Sequence, residues 1–118
     1  MAAAKLKLMI EQGATFRKVL TWKSGTPAAA VDLTGCTARM QMRAEIDSAT
    51  PLVSLTTENG GIALGGVAGT IELLITATAT AAFTWTSAVY DLEIILANGD
   101  VRRLVYGLVT VSPEVTRA

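Results

Sequence analysis

The sequence predicts an all-β protein, an antiparallel β-sandwich of about seven or eight strands with at most one short helix. Several segments alternate apolar and polar side chains with a period of two, which is typical of strands that bury one face. Gly, Pro and Asn separate these segments and suit the tight turns between strands. Apolar residues form 51% of the 118-residue chain and charged residues 17%, a balance that favours a folded core over disorder. We therefore expect a single sandwich domain over residues 1–118.

The first quarter of the chain predicts two strands. Residues 5–10 alternate lysine with larger apolar side chains, and residues 14–22 place four apolar side chains on one face: Ala14, Phe16, Leu20 and Trp22. Lys18 and Val19 interrupt this second alternation, which indicates either a β-bulge or a strand at the edge of a sheet. Residues 23–27 have the composition of a turn.

The clearest strand covers residues 36–46. Its alternate positions are small or apolar, and the positions between them are polar: Thr37, Arg39, Gln41, Arg43 and Glu45. Because successive side chains of a strand point to opposite faces, we expect Met40 and Met42 in the core and the polar row in solvent. A polar loop over residues 47–51 and a fourth strand over residues 52–57 follow.

Two Asn-Gly pairs, Asn59-Gly60 and Asn98-Gly99, predict hairpins because this dipeptide suits a type I′ turn. The elements after the first pair are, in order, a strand at residues 62–64, a glycine-rich turn at residues 65–69, a strand at residues 70–76, a candidate helix at residues 77–83, and strands at residues 88–97 and 101–111. The second pair joins the last two of these strands.

A two-residue turn at the second Asn-Gly pair sets the register of the last hairpin. It places Leu92 opposite Val105, with the apolar residues of that strand on the buried face. Asp91 and Glu93 then lie on the solvent face, where we expect them to be cross-strand partners of Arg102 rather than ligands of a calcium ion.

The chain lacks the groups that most catalytic sites need. It has no histidine, which removes the Ser-His-Asp triad and the imidazole ligands of metals. Its single cysteine, Cys36, allows neither an internal disulfide nor a structural zinc site, and it fits the apolar face of the third strand. We therefore predict a non-enzymatic protein with no catalytic residue, no metal site and no cofactor.

Charge and hydropathy argue against two other classes of partner. Ten basic residues balance ten acidic ones, so we expect no basic surface for nucleic acid. No apolar stretch is long enough to span a bilayer, and residues 1–11 lack the apolar core of a signal peptide. We expect synthesis in the cytoplasm, no membrane contact, and partners that are proteins.

Three groups of residues are candidates for a protein interface. The first is the polar row Arg39, Gln41 and Arg43, which is either a solvated face or a polar contact surface. The second is Trp85, an aromatic residue in a predicted loop. The third lies in the terminal segments, which can add to a sheet edge or bond to a neighbouring subunit through Lys5, Lys7, Glu114 and Arg117.

Several motifs, taken in their order and spacing, resemble a known family. They are Val31-Asp32-Leu33-Thr34-Gly35 with the alternating strand after it, Asn59-Gly60-Gly61-Ile62 with Gly69-Thr70-Ile71, Ala79-Thr80-Ala81-Ala82-Phe83 with Tyr90-Asp91-Leu92-Glu93, and residues 107–117. In these motifs the chain is similar to structural proteins of tailed phages and prophages. Among them, the chain resembles the immunoglobulin-like N-terminal domain of phage baseplate upper proteins.

The resemblance implies an immunoglobulin-like sandwich with a structural role in a virion, and it carries over no catalytic residue. The implied protein is a tail, baseplate or neck component, present in several symmetry-related copies that contact other phage structural proteins. It would be made in the host bacterial cytoplasm and reside in the virion. Two alternatives stay open: a capsid decoration protein, and a small module whose loops bind a carbohydrate or a host surface.

Overall fold

The computed structural model describes residues 3–116 and confirms the all-β sandwich. One short α-helix, α1 (Ala77–Ala81), and a 3-10 turn at Gly66–Ala68 accompany the strands. The strands are, in chain order, β1 (Ala4–Lys5), β2 (Leu8–Glu11), β3 (Phe16–Thr21), β4 (Lys23–Ser24), β5 (Ala29–Ala30), β6 (Thr37–Arg43), β7 (Val53–Thr56), β8 (Ile62–Leu64), β9 (Thr70–Ile75), β10 (Ser87–Ile95) and β11 (Val101–Ser112).

The strands form two main sheets. The larger sheet has the order β1, β11, β10, β6 and β7, and β2 also pairs with β11. The smaller sheet consists of β3, β9 and β8, and β4 pairs with β5 in a separate ribbon. The described strands outnumber the predicted ones because residues 23–30 form that ribbon and because the predicted first strand is divided into β1 and β2.

Strands β1 and β2 run parallel to β11, although the sequence predicts an antiparallel arrangement throughout. Leu6, which lies between them, stays hydrogen-bonded to the sheet. The Leu6 N–H donates to the Tyr106 carbonyl at 2.9 Å, and the Leu6 carbonyl accepts from the Tyr90 hydroxyl at 2.6 Å. Gly107 permits this close approach, because a Cβ atom at that position would collide with the Leu6 carbonyl oxygen.

The core fills the space between the two main sheets. The larger sheet contributes side chains such as Met40, Leu92 and Val109, and the smaller sheet contributes Ile71 and Leu73, all of them buried. Burying each side chain of this size stabilises the fold by about 1.5–3 kcal/mol. The alternation predicted for the third strand is confirmed, since exposed and buried positions alternate along β6.

Strand β3 lies at an edge of the smaller sheet and pairs with β9 alone, in a register without a shift. The sequence left two explanations for the irregular pattern at Lys18 and Val19. The edge position is correct and the bulge is wrong, because both side chains are exposed on a continuous edge strand.

The Asn98-Gly99 turn is a three-residue loop, so the predicted two-residue type I′ turn is wrong. A type I′ turn needs positive φ at both central residues, but only glycines adopt positive φ within residues 3–116, and Gly99 does so at +94°. The Leu96 N–H donates to the Asp100 carbonyl at 2.7 Å, so Leu96 rather than Ala97 faces Asp100. This geometry matches the hairpin in which a type I turn is followed by a left-handed residue.

The longer loop changes the cross-strand partners near the turn. Glu93 faces Arg103, and a bulge between Leu92 and Glu93 then brings Leu92 opposite Val105, as predicted. The bulge leaves Leu104 as the extra residue of β11. The predicted pairing of the outer-face carboxylates with Arg102 is therefore wrong.

The Asn59-Gly60 turn links the two sheets and does not close the predicted hairpin, because β7 belongs to the larger sheet and β8 to the smaller one. The Asn59 side chain organises the turn. Its Oδ1 accepts from the N–H groups of Thr56 and Gly61 at 2.9 Å each, and its Nδ2 donates to the Ser54 carbonyl at 3.0 Å. An asparagine side chain that bonds to nearby backbone groups stabilises a turn whether or not the flanking strands pair with each other. The Asn-Gly dipeptide therefore indicated the turn but not which strands pair on either side of it.

Helix α1 confirms the predicted short helix. Thr76 caps its N-terminus by accepting the Ala79 N–H on Oγ1 at 3.2 Å. Thr80 is fully buried, and its hydroxyl donates to the Ala14 carbonyl at 2.9 Å and accepts from the Gly13 N–H at 3.0 Å. These bonds tie the helix to the turn between β2 and β3. Within residues 3–116, no helix is both long enough and apolar enough to cross a membrane.

Candidate protein interface

The outer face of the larger sheet holds the predicted polar row. Arg39, Gln41 and Arg43 point away from the core because the alternate positions of β6, Met40 among them, are buried against the smaller sheet. Strand β10 lies beside β6 and places Asp91 opposite Gln41. Glu93, two positions further along β10, lies on the same face opposite Arg39. The sheet therefore sets a central acidic strand between basic side chains of β6 and β11.

Ion pairs connect these strands across the face. The Arg39 Nε lies 2.7 Å from a Glu93 carboxylate oxygen, and the Arg103 Nε lies 3.5 Å from a carboxylate oxygen of Asp91. The Arg103 guanidinium also stacks 4.4 Å above the centre of the Tyr106 ring. Because these side chains are partly exposed to solvent, each pair contributes little to stability, and the main result is that acidic and basic groups alternate across the face.

Arg43 joins the face to the loop after β6. One guanidinium nitrogen donates to the Gln41 side-chain oxygen at 2.6 Å, and another donates to the Ser48 carbonyl at 2.6 Å. The loop is closed further by the Glu45 N–H, which donates to the Ser48 hydroxyl at 3.0 Å. Arg43 therefore links the loop to the outer face of the sheet.

A groove of about 610 Å³ lies on this face, between the loop after β6 and strand β11. Val89, Tyr106 and Leu108 form its apolar floor, and the basic side chains of Lys5 and Arg43 stand at its rim. Leu108 is 51% exposed and, together with Ile46 and Val89, adds apolar surface to this face.

The structure brings some predicted residues together and separates others. Lys5 lies on β1 opposite Tyr106 and joins the polar row on the outer face. Lys7 instead lines a crevice between β2 and β3. Trp85 precedes β10 and packs against Phe83, with ring centres 4.8 Å apart, at the border of the core.

Glu114 follows the last strand and contacts its own domain, where its N–H donates to the Gln12 side-chain oxygen at 2.8 Å. Arg117 lies outside the described residues. The predicted contacts of the terminal segments with neighbouring subunits remain predictions.

Sequence reasoning missed the apolar part of this face. Ile46 is 87% exposed in the loop after β6, and Leu108 and Val89 lie on neighbouring strands. The sequence placed Ile46 at the end of the predicted strand over residues 36–46, on its apolar face, and this is wrong because β6 ends at Arg43 and Ile46 lies in the loop beyond it. Leu108 gave no signal in the sequence, because its exposure depends on which face of β11 covers the core.

The outer face combines three kinds of surface group. It offers ion pairs, hydrogen-bonding groups and apolar surface, and within residues 3–116 no cluster of three or more histidine, cysteine or acidic side chains could hold a metal ion. Burial raises the pKa of the nearby Tyr90 hydroxyl to about 12, so that group stays protonated at neutral pH.

The chain was compared with protein-family models and with curated proteins. No protein-family model matches the chain, and a search of curated proteins finds no match either. The resemblance to phage structural proteins therefore rests on the motifs and their order along the chain.

Proposed function

We propose that this chain is a non-enzymatic structural component of a tailed-phage virion, located in the tail, baseplate or neck, which acts through contacts with other virion proteins. The motif resemblance supports the virion role. The β-sandwich supports it as well, since the resemblance implies an immunoglobulin-like sandwich for such a component.

One observation carries the contact role: exposed apolar side chains lie beside paired charges on the outer face of the larger sheet. Ile46 and Leu108 are exposed there and line the same groove as the ion pair between Arg103 and Asp91. Protein interfaces combine an apolar centre with a polar rim in this way. A contiguous apolar patch rimmed by polar groups is typical of a binding surface.

The test is to purify particles produced from the genome that encodes the chain and to identify their proteins by mass spectrometry. We expect the chain to co-purify with particles through a density gradient, in a fixed ratio to the major tail protein. The control is an abundant cytoplasmic protein of the same host, which should be removed by the gradient. Absence of the chain from intact particles would overturn the proposal.

Separating heads from tails places the chain within the virion. We expect it in the tail fraction. Recovery in the head fraction alone would instead support capsid decoration, the alternative position in the particle.

A further inference from the structure

We propose that the outer face of the larger sheet is a two-fold interface between two copies of this chain, in which Ile46 of each copy inserts into the groove of the other. The inference rests on the proposed function, since a component present in repeated copies needs a surface for contact between copies. We call Glu45-Ile46-Asp47 the acidic knob and the surface formed by Val89, Tyr106 and Leu108 the groove floor.

The acidic knob projects into solvent from an ordered loop. Ile46 is 87% exposed although isoleucine is among the residues most often buried. The loop that carries it is held by three hydrogen bonds: Arg43 to the Ser48 carbonyl at 2.6 Å, the Ser48 N–H to the Glu45 carbonyl at 3.1 Å, and the Glu45 N–H to the Ser48 hydroxyl at 3.0 Å. Because the loop is already ordered, little conformational entropy is lost when Ile46 is buried by a partner.

The charges of the knob and the groove are complementary. Among residues 3–116, the carboxylates of Glu45 and Asp47 form no ion pair. Lys5 and Arg43, at the rim of the groove, form no ion pair with a carboxylate among the described residues either. Two acidic groups on the knob thus match two cations at the groove, whereas Asp91 is already paired within the sheet.

The arrangement of knob and groove favours a two-fold dimer of identical chains. Both features lie side by side on one face, and Ile46 itself stands at the border of its own groove. A two-fold axis places the same patch of both copies in contact, so each knob meets the groove of the other copy. The chain carries no net charge, so two copies do not repel each other overall.

Sedimentation velocity on the purified chain over a series of concentrations tests the interface. We expect a reversible dimer. Ile46→Ser removes the apolar side chain of the knob, and Leu108→Ser weakens the groove floor, so each should raise the dimer dissociation constant about tenfold or more. Val67→Ser is the matched control, since Val67 is 73% exposed in the 3-10 turn between β8 and β9, and it should leave the constant unchanged.

Mixing the two weakened variants tests the reciprocal geometry. In a mixed dimer, the intact knob of the Leu108→Ser chain meets the intact groove of the Ile46→Ser chain, so one of the two contacts is restored. We expect the mixture to associate more tightly than either variant alone, measured with a fluorescent label on one of them. Association no tighter than that of the separate variants would exclude the reciprocal contact.

Charge reversal gives a second test that does not alter the apolar surface. Lys5→Glu should weaken the dimer, and adding Asp47→Lys to the same chain should restore part of the affinity. Circular dichroism should show that every variant stays folded, since all the changed side chains are exposed. A chain that is monomeric at every concentration, or that forms open-ended oligomers, would overturn the two-fold interface.

The two proposals can fail separately. If the chain dimerises in solution but is absent from particles, the proposed interface stands and the proposed virion role fails. If the chain is found in particles but is monomeric in solution, and the Ile46→Ser variant is incorporated normally, the proposed virion role stands and the proposed interface fails.

Discussion

The Tyr90 hydroxyl donates a 2.6 Å hydrogen bond to the carbonyl oxygen of Leu6, a residue 84 positions earlier in the chain. This bond joins the central strand β10 to the segment between β1 and β2, across β11. It satisfies a buried hydroxyl and a backbone carbonyl at the point where the chain changes from β1 to β2. The N-terminal segment is thereby fastened to its own domain, at the side of the sheet where Lys5 reaches the groove.

Removal of this bond should weaken the domain measurably. We expect Tyr90→Phe to lower the free energy of unfolding by about 1–2 kcal/mol, because the Leu6 carbonyl loses its hydrogen-bond partner. Urea denaturation followed by circular dichroism measures the change. Tyr106→Phe is the control, since it keeps the ring that stacks under Arg103, and its effect should be small. Equal stability of the wild type and Tyr90→Phe would contradict the assigned role of the bond.

The same hydroxyl predicts a loss of stability at high pH. Burial raises the pKa of Tyr90 from 10.0 to about 12 in the folded protein, so the unfolded chain releases the proton first. The contribution of this group to stability is therefore complete below pH 10.0 and is lost as the pH rises toward about 12. Other groups titrate in this range, so the measurement is the difference in unfolding free energy between wild type and Tyr90→Phe. That difference should shrink as the pH rises through this window, and a constant difference would contradict the prediction.

Gly107→Ala should displace the N-terminal segment. The added Cβ atom would collide with the Leu6 carbonyl oxygen, and relief of such overpacking typically costs about 1–3 kcal/mol. Amide hydrogen exchange should show faster exchange in β2, and thermal unfolding should show a lower midpoint. Thr110→Ala in the same strand is the control. Its hydroxyl is buried without a partner among the described residues, but the substitution also removes a methyl group from a strand, so we expect a smaller loss of stability than for Gly107→Ala and no faster exchange in β2.

A pair of substitutions in β6 tests the assignment of the two faces. Met40→Asp should unfold or aggregate the protein, because it places an unpaired charge at a position that is 1% exposed, at a cost of several kcal/mol. Gln41→Asp, one residue along on the solvent face, should leave the fold intact. Size-exclusion chromatography and circular dichroism compare the two, and similar behaviour would show that the faces are misassigned.

The face of each residue in β6 could be predicted because it depends on local geometry. Alternate side chains of a strand point to opposite sides, so the row Arg39, Gln41 and Arg43 was placed correctly from its spacing alone. The groove beside that row could not be predicted. It needs Leu108 from β11 and Lys5 from β1 next to one another, and these strands are distant in sequence.

The sequence by itself determined the fold class, most of the strands, the short helix and the positions of the turns. These features follow from periodicity and from the backbone preferences of glycine, proline and asparagine, which act over a few residues. Only the tertiary structure decided that the Asn59-Gly60 turn crosses between sheets, that β1 and β2 run parallel to β11, and that Ile46 stands beside an apolar groove. Such choices depend on which strand satisfies the hydrogen-bonding groups of another, and that pairing is settled by packing across the whole domain.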